Sequence, residues 1–276
     1  MNLINLNRDL PHHNIMVQIL ITFLLFFFIS GCSTDKVEMP EIYFVQITDT
    51  HYSEYKNKER IEKVIAEINE LPMEIECVFH TGDITQEKLE NDSIVNNALT
   101  LFNQFKMPVH FLPGNHDILW NNYEITKQSY IKNFGGLITY KEYKGIVFLL
   151  IYSEPLSHTL PDSSHIPLLE LEAGLKQAKG KPVIVIHHTP SVDDFYRNKM
   201  HRGWKKGNKD KWVKLLNQHN VKAVIAGHFH RDEHHWLGKI PLYVSASISG
   251  HWGRQATYRI YHYKDGKIGY RTQYIQ

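Results

Sequence analysis

The feature that most constrains this chain is a set of five short polar segments, each of which follows an apolar run of strand type. The segments are Asp49-Thr50-His51, Gly82-Asp83, Gly114-Asn115-His116-Asp117, His187-His188 and Gly227-His228-Phe229-His230. Short apolar runs with polar ends are typical of buried strands. Because parallel strands end at the same edge of a sheet, we expect the five segments to lie close together.

The apolar periodicity between these segments predicts alternating strands and helices. Strands are expected at 42–47, 77–80, 109–112, 183–187 and 223–226, and helices at 58–71, 94–105, 123–134, 168–178 and 210–219. Such alternation is typical of an α/β fold with a largely parallel sheet. Further strands are expected at 137–143, 146–152, 241–246, 256–263 and 267–274. Asp265-Gly266 predicts a tight hairpin turn between the last two.

The N-terminal residues have the features of a targeting segment. An apolar stretch at 15–29 follows Arg8 and leads into Ile29-Ser30-Gly31-Cys32. A positively charged N-terminal region, a short apolar region and small residues before the cleavage site predict a signal peptide. A transmembrane helix is the alternative, but it requires roughly 17–25 residues. We therefore expect a lipoprotein signal peptide at 1–31 with lipidation at Cys32, a tether at 32–40 and one domain at 41–276, whether translation starts at Met1 or Met16.

The net charge, the cysteines and the histidines of the chain indicate which ligands and partners to expect. The net charge is +2, which gives no reason to expect a nucleic-acid partner. Cys77 is the only cysteine besides Cys32, so a lipidated Cys32 leaves no partner for an internal disulfide. The 18 histidines are more informative, because neutral imidazole is the commonest metal ligand. The sequence does not indicate an oligomeric state.

Two of the segments place ligand-type side chains two residues apart. Asp49 and His51 would point to the same side of an extended chain, as would His228 and His230. Carboxylate, amide and imidazole groups together suit Mn, Fe or Zn. The five segments supply seven candidate ligands. This set is too large for one tetrahedral zinc ion and suits two ions, a pair that activates water for attack on phosphate esters.

The same segments resemble those of the calcineurin-like metallophosphoesterases, and the resemblance runs from about residue 42 to the C-terminal hairpin. It implies a four-layer α/β/β/α sandwich with two mixed sheets and a dinuclear metal site at the C-terminal ends of strands. It also implies that small phosphomono- or diesters are hydrolysed by a hydroxide that bridges two divalent ions. The segments Gly-Asp-Ile-Thr-Gln and Leu-Pro-Gly-Asn-His-Asp are most similar to the cyclic-nucleotide phosphodiesterase-like branch and to small single-domain phosphatases.

The resemblance further implies a role for each residue. One ion would be held by Asp49, His51 and His230. The other would be held by Asn115, His187 and His228, with Asp83 bridging both. His116 would face the scissile phosphate as the general acid. Of the adjacent histidines, His187 is favoured as the ligand, and His188 is expected beside the ligands, near the substrate.

One position departs from two branches of this family. Purple acid phosphatases have a tyrosine three residues after the bridging aspartate, and protein Ser/Thr phosphatases have Asp-Arg-Gly there. This chain has Gln86. His116 therefore lacks an evident carboxylate to orient it, and Asp117 or another residue would have to supply one. His116 and Asp117 are the candidate catalytic residues.

The remaining expectations concern the substrate and the location. Four residues after the last ligands are candidates to line the pocket: Arg231, His251, Trp252 and Arg254. Of these, Arg231, His251 and Arg254 are candidate substrate contacts, with a solvated loop as the alternative. A lipid anchor at Cys32 would hold the protein to a membrane of the bacterial cell envelope, outside the inner membrane. Two other functions remain open: a catalytically degenerate binding lipoprotein, and a nuclease of the same family. Nucleases of the family usually have extra domains and basic surfaces.

Overall fold

The computed structural model describes residues 40–159, 164–199 and 203–275. The predicted signal peptide, Cys32 and all of the tether except Pro40 lie outside the described residues. In the described part of the chain, no helix is long and apolar enough to cross a membrane. The described residues belong to one compact unit, Met39–Gln276.

Strands and helices alternate through most of the described chain. In chain order the elements are β1 (Ile42–Ile47), α1 (Asn57–Asn69), β2 (Ile75–His80), α2 (Asp92–Phe102), β3 (Val109–Phe111), α3 (Tyr123–Asn133), β4 (Ile138–Tyr143), β5 (Ile146–Ile151), α4 (Pro167–Gln177), β6 (Val183–Ile186), α5 (Lys206–Asn217), β7 (Val221–Ala226), β8 (Glu233–Leu237), β9 (Ile240–Val244), β10 (Thr257–Lys264) and β11 (Lys267–Tyr274). Short 3₁₀ turns lie at Trp120–Asn122, Glu154–Leu156 and His251–Gly253.

The strands form two mixed sheets. One has the order β11-β10-β1-β2-β3, and the other has the order β4-β5-β6-β7-β9-β8. Within them β1, β2 and β3 are parallel, and so are β5, β6, β7 and β9. The hairpins β4–β5, β8–β9 and β10–β11 are antiparallel. The C-terminal ends of β1, β2 and β3 therefore share one edge of their sheet, as those of β6 and β7 do in the other.

The two sheets pack face to face, and helices cover both outer faces. Along β1, Phe44 joins the core between the sheets, whereas Val45 and Ile47 join the core beneath the helices. Phe44, Phe79 and Phe148 meet between the sheets at centroid distances of 4.7–5.7 Å. A third core lies between the second sheet and helices α4 and α5. The predicted four-layer α/β/β/α sandwich is confirmed.

Most element boundaries differ from the sequence expectation by one to four residues, and strand β8 was not expected. β2 begins at Ile75 rather than at residue 77, because Glu76 interrupts the apolar run while the backbone still pairs with β1. α5 begins at Lys206 rather than at residue 210, because its first turn is polar and contains Gly207. Neither difference moves a candidate site residue. Cys77 is a free, buried thiol in β2.

Candidate metal centre

The polar segments that follow β1, β2, β6 and β7 meet at one edge of the two sheets. Within the first sheet the backbone N–H of Asp49 donates to the carbonyl of Gly82 at 3.0 Å, and within the second that of Gly227 donates to His188 at 3.1 Å. A third bond crosses between the sheets, from the backbone N–H of His228 to Oδ2 of Asp49 at 3.0 Å. The convergence expected from the sequence is therefore present.

The first group of ligand-type atoms contains Asp49, His51, Asp83 and His230. One atom from each residue lies within 4.8 Å of all the others, and all four residues are buried. Nε2 of His230 is 3.2 Å from Oδ1 of Asp49 and 3.4 Å from Nε2 of His51. Nε2 of His51 is 3.8 Å from Oδ2 of Asp83. These groups can face one common ion.

The second group contains Asp83, His188 and His228. Nε2 of His188 is 3.2 Å from Oδ2 of Asp83 and 3.2 Å from Oδ1 of Asn115. Asp83 belongs to both of these groups, so its carboxylate would be shared if each group held an ion. The carboxylate, amide and imidazole donors suit a pair of divalent metal ions. The donor set thus fits the dinuclear centre that the family resemblance implies.

The structure corrects the choice between the two adjacent histidines. The ring of His187 points away from the cluster and packs against Trp204 and Trp212, with centroid distances of 5.1 and 5.5 Å. Its Nδ1 is 2.9 Å from the carbonyl of Thr189. His188, expected only beside the ligands, lies in the second group of ligand-type atoms instead. Successive side chains of a strand point to opposite faces, so only one of the pair can reach the space between the sheets.

Five residues of the cluster have left-handed backbones. The positive φ angles belong to Asp49 (51°), His51 (41°), Asp83 (54°), His228 (71°) and His230 (53°). Such conformations are uncommon outside glycine and cost on the order of 1–3 kcal/mol each. They persist only where surrounding contacts fix them, and such strain concentrates at functional sites. The tight turns direct these side chains back over the ends of the strands.

Two glycines allow the close approach of the segments. A Cβ atom on Gly82 would lie 2.4 Å from Nδ1 of His188, and one on Gly114 would lie 2.1 Å from Oδ1 of Asp83. Both distances are shorter than any van der Waals contact. The space that a side chain would fill at these positions is occupied by the candidate ligands themselves.

The electrostatics of the cluster favour bound positive charge. Burial would raise the pKa of Asp83, but the histidines around it, His188 foremost, hold that pKa well below its usual range. Burial likewise opposes protonation of His188, yet the carboxylates of Asp83 and Asp49 raise its pKa to about 10. The buried carboxylates therefore stay ionised and attract cations.

His116 lies at the mouth of this cluster and has an acidic neighbour that sequence reasoning missed. Its side chain is 33% exposed, and its Nδ1 is 3.2 Å from Oε1 of Glu87. The backbone N–H of Glu87 also donates to the carbonyl of His116 at 3.1 Å. Burial lowers the pKa of His116, but the carboxylates of Asp83 and Glu87 outweigh that effect and raise it. In the sequence, the only indication of this contact was the acidic residue directly after Gln86.

Asp117, predicted as a catalytic residue beside His116, has its carboxylate engaged by backbone hydrogen bonds. It is fully buried, and its carboxylate accepts hydrogen bonds from the backbone N–H groups of Ile84, Thr85 and Gly114 at 2.9–3.1 Å. These bonds tie the loop after β2 to the loop after β3. Asp117 therefore fixes the backbone beside Asp83 and does not face the mouth of the site.

Of the candidate substrate contacts, two lie beside the cluster. The ring of His251 stacks on His51 at a centroid distance of 4.9 Å, and its Nε2 is 2.5 Å from Oε2 of Glu54. The guanidinium of Arg254 donates to the carbonyl of His230. Both residues belong to the segment after β9.

Arg231 is engaged by two other side chains. Its Nε is 3.2 Å from Oε1 of Glu233, and its guanidinium lies 4.7 Å from the ring centroid of Phe195. Arg231 thus contacts Glu233 and Phe195, side chains outside the groups of ligand-type atoms.

Comparisons with known proteins agree with this geometry. The family model of the calcineurin-like phosphoesterases matches residues 42–232. A 3′,5′-cyclic adenosine monophosphate phosphodiesterase, CpdA of Haemophilus influenzae, is 23% identical over 207 residues, which are 71% of this chain and 73% of that protein.

Solved structures share the fold. A dimetal phosphatase from Danio rerio is 15% identical, with a TM-score of 0.59 over 86% of this chain and 100% of that one. A purple acid phosphatase, PPD1 of yellow lupin, is 13% identical, with a TM-score of 0.59 over 84% of this chain and 51% of that one. From the family match, the fold and the metal-type cluster together, the chain belongs to the calcineurin-like phosphoesterases and is a hydrolase that acts on phosphate ester bonds.

Proposed function

We propose that this protein hydrolyses small phosphomono- or diesters at a pair of divalent ions, Mn, Fe or Zn. The first ion would be held by Asp49, His51 and His230. The second would be held by Asn115, His188 and His228, with Asp83 shared between them. The observation that supports this proposal best is that Asp83 belongs to two of the three groups of ligand-type atoms, the third being His51, His230 and His251.

The chain's own residues have distinct tasks in this reaction. When bound, the two ions would act as Lewis acids and activate a water molecule for attack on phosphorus. With Nδ1 of His116 facing Glu87, Nε2 is the nitrogen left to protonate the departing ester oxygen. The backbone N–H of His116 donates to Oδ1 of Asp83 at 2.9 Å, which keeps the acid next to the proposed bridging ligand.

Diesters are included because of the similarity to a cyclic AMP phosphodiesterase. The chain retains a ligand-type side chain at every proposed metal position, which favours an enzyme over a degenerate binding protein. Its net charge of +2 gives no support to the nuclease alternative.

The proposed chemistry is tested by Asp83→Ala. Metal-loaded full-length protein should hydrolyse mono- or bis-p-nitrophenyl phosphate, and the variant should lose activity and bound metal together, because both ions lose their shared ligand. Asp210→Ala, which removes an exposed carboxylate from α5, is the matched control and should behave as wild type. Full activity in Asp83→Ala would exclude the dinuclear assignment.

The proposed location is the bacterial cell envelope, outside the inner membrane, with the anchor on Cys32. Its support is the sequence Ile29-Ser30-Gly31-Cys32 after an apolar stretch. Cys32→Ser should release the protein from the membrane fraction or leave an unprocessed precursor. Cys77→Ser alters the buried thiol and should fractionate as wild type. Unchanged membrane fractionation of Cys32→Ser would contradict lipidation.

A further inference from the structure

An exposed tryptophan, Trp252, stands beside the candidate metal centre. We propose that Trp252 is a stacking surface for a planar aromatic part of the substrate, so that the preferred substrates are phosphate esters of the nucleotide type. This proposal rests on the proposed phosphoesterase function and names the substrate class of that same site.

The segment that carries Trp252 is fixed to the segment that carries the first ligands. The backbone N–H groups of Ile248 and Ser249 donate to the carbonyls of Thr48 and Asp49, each at 3.1 Å. The loop that follows therefore has a defined position relative to the candidate metal ligands.

Further contacts fix the remainder of this loop. The backbone N–H of Gly250 donates to Oδ1 of Asn57 at 3.3 Å, and Nε2 of His251 is 2.5 Å from the carboxylate of Glu54. Asn57 in turn donates to the carbonyl of His51 at 3.1 Å. These hydrogen bonds hold the loop that carries Trp252 in a defined position.

Trp252 combines an uncommon backbone conformation with an exposed side chain. Its φ of 54° and ψ of 28° lie in the left-handed region, which is rare for a bulky residue. The residue is 59% exposed. Strained residues of this kind concentrate at ligand sites, where neighbouring contacts hold them.

The indole lies directly against the site. Its ring centroid is 5.2 Å from that of His230, with the two planes at 67°, and 5.7 Å from that of His251. The guanidinium of Arg254 lies 5.4 Å from the same ring centroid and also donates to the carbonyl of His230. A planar group on this indole would therefore belong to a molecule whose phosphate reaches the metal centre.

Stacking of a nucleobase on an aromatic side chain gives a measurable preference. Substitution of such a residue by alanine weakens binding of each stacked base by about 5- to 150-fold. Stacking also tolerates different bases, because every base has a π-face. We therefore expect a preference for substrates with a base and little discrimination among the bases.

The test uses two probes that differ only in the base. They are the 5′-phosphonates of adenosine and of ribose, in which a CH₂ group replaces the ester oxygen and prevents hydrolysis. Calorimetric titration of the metal-loaded full-length protein gives the ratio of their dissociation constants. Wild type should bind the adenosine probe more tightly, and Trp252→Ala should reduce that preference by about 5- to 150-fold. Trp252→Phe, which keeps an aromatic face, should retain most of it.

Trp236 offers a matched control. It is 63% exposed on β8, and its ring packs against His234. Trp236→Ala should keep the wild-type ratio of dissociation constants. An unchanged ratio in Trp252→Ala, or equal affinities of the two probes in wild type, would overturn the proposal. If Trp252→Ala kept the ratio and lost binding to phospholipid vesicles, the indole would be assigned to lipid contact, and the proposal would again be overturned.

The two proposals fail in different ways. Absence of hydrolysis of every phosphate ester by metal-loaded wild type would refute the proposed function while the ratio of phosphonate affinities remained measurable. Hydrolysis without a base-dependent affinity would refute only the role of Trp252.

Discussion

Gly114 lies against the carboxylate that is proposed to join the two metal ions, so one added methyl group tests how the site is built. In Gly114→Ala the new Cβ would lie 2.1 Å from Oδ1 and 2.5 Å from the backbone N of Asp83. Ordinary contacts begin near 3.4 Å. Asp83 or the loop of Gly114 must therefore move by about 1 Å or more. Oδ1 of Asp83 also accepts the N–H of His116 at 2.9 Å, so the shift would displace the proposed acid as well.

The size of the effect follows from that displacement. Misplacement of a catalytic group by about 1 Å can reduce the rate about 100-fold. Overpacking of a well-packed region costs about 1–3 kcal/mol of unfolding free energy. We expect Gly114→Ala to lose about 100-fold in kcat/KM for bis-p-nitrophenyl phosphate and to bind less metal, as measured by elemental analysis, while thermal unfolding shows a folded protein.

Gly207 is the matched control for this substitution. A Cβ there would meet no atom within 4 Å, and the residue lies in α5. Gly207→Ala should keep the wild-type metal content and rate, and its helix should be stabilised by about 1 kcal/mol. If Gly114→Ala retained full metal content and a rate within about threefold of wild type, the proposed placement of Asp83 between both ions would be wrong.

Two further predictions concern histidines. His188→Ala should lower the content of bound metal. His187→Ala should keep the metal content and lose about 1–3 kcal/mol of stability, because it leaves the Thr189 carbonyl buried without its partner. Equal metal loss in both variants would contradict the ligand assignment. His116→Ala should keep both metals and slow turnover about 10²–10⁴-fold, most for alkyl esters and least for p-nitrophenyl esters. Glu87→Gln should show the same leaving-group dependence but a loss of less than about fivefold, since the ion pair is partly exposed; a loss independent of the leaving group would exclude the positioning role.

The strand pattern was sufficient to predict which segments meet, but not which of two adjacent side chains faces the site. Val183 and Val185 point toward the helices, while Ile184 and Ile186 point toward the other sheet. Strands covered on both faces read as continuous apolar runs and show no alternation. The sequence of β6 therefore contains no sign of which face His187 would take. That choice becomes visible only from the packing of the two sheets.

The residues that position His116 could not be identified from the sequence for a different reason. Asp117 is adjacent to the histidine and acidic, so it looked catalytic, yet its carboxylate is used by backbone donors from the loop after β2. Glu87 reaches the imidazole because its backbone has a φ of 52° and its own N–H is bonded to the carbonyl of His116. Both outcomes depend on how two loops dock, which a local sequence pattern does not specify.

Placement of the ligands depends on the packing between the sheets more than on the loops themselves. Asp49 accepts the backbone N–H of His228 across the interface, and Gln46 donates across it to the carbonyl of Ala226 at 2.9 Å. Because the chain is short between each strand and its ligands, the distance between the two halves of the centre follows the separation of the sheets. The aromatic core around Phe44 and Phe148 sets that separation. A change of volume there would therefore alter metal binding without touching a ligand.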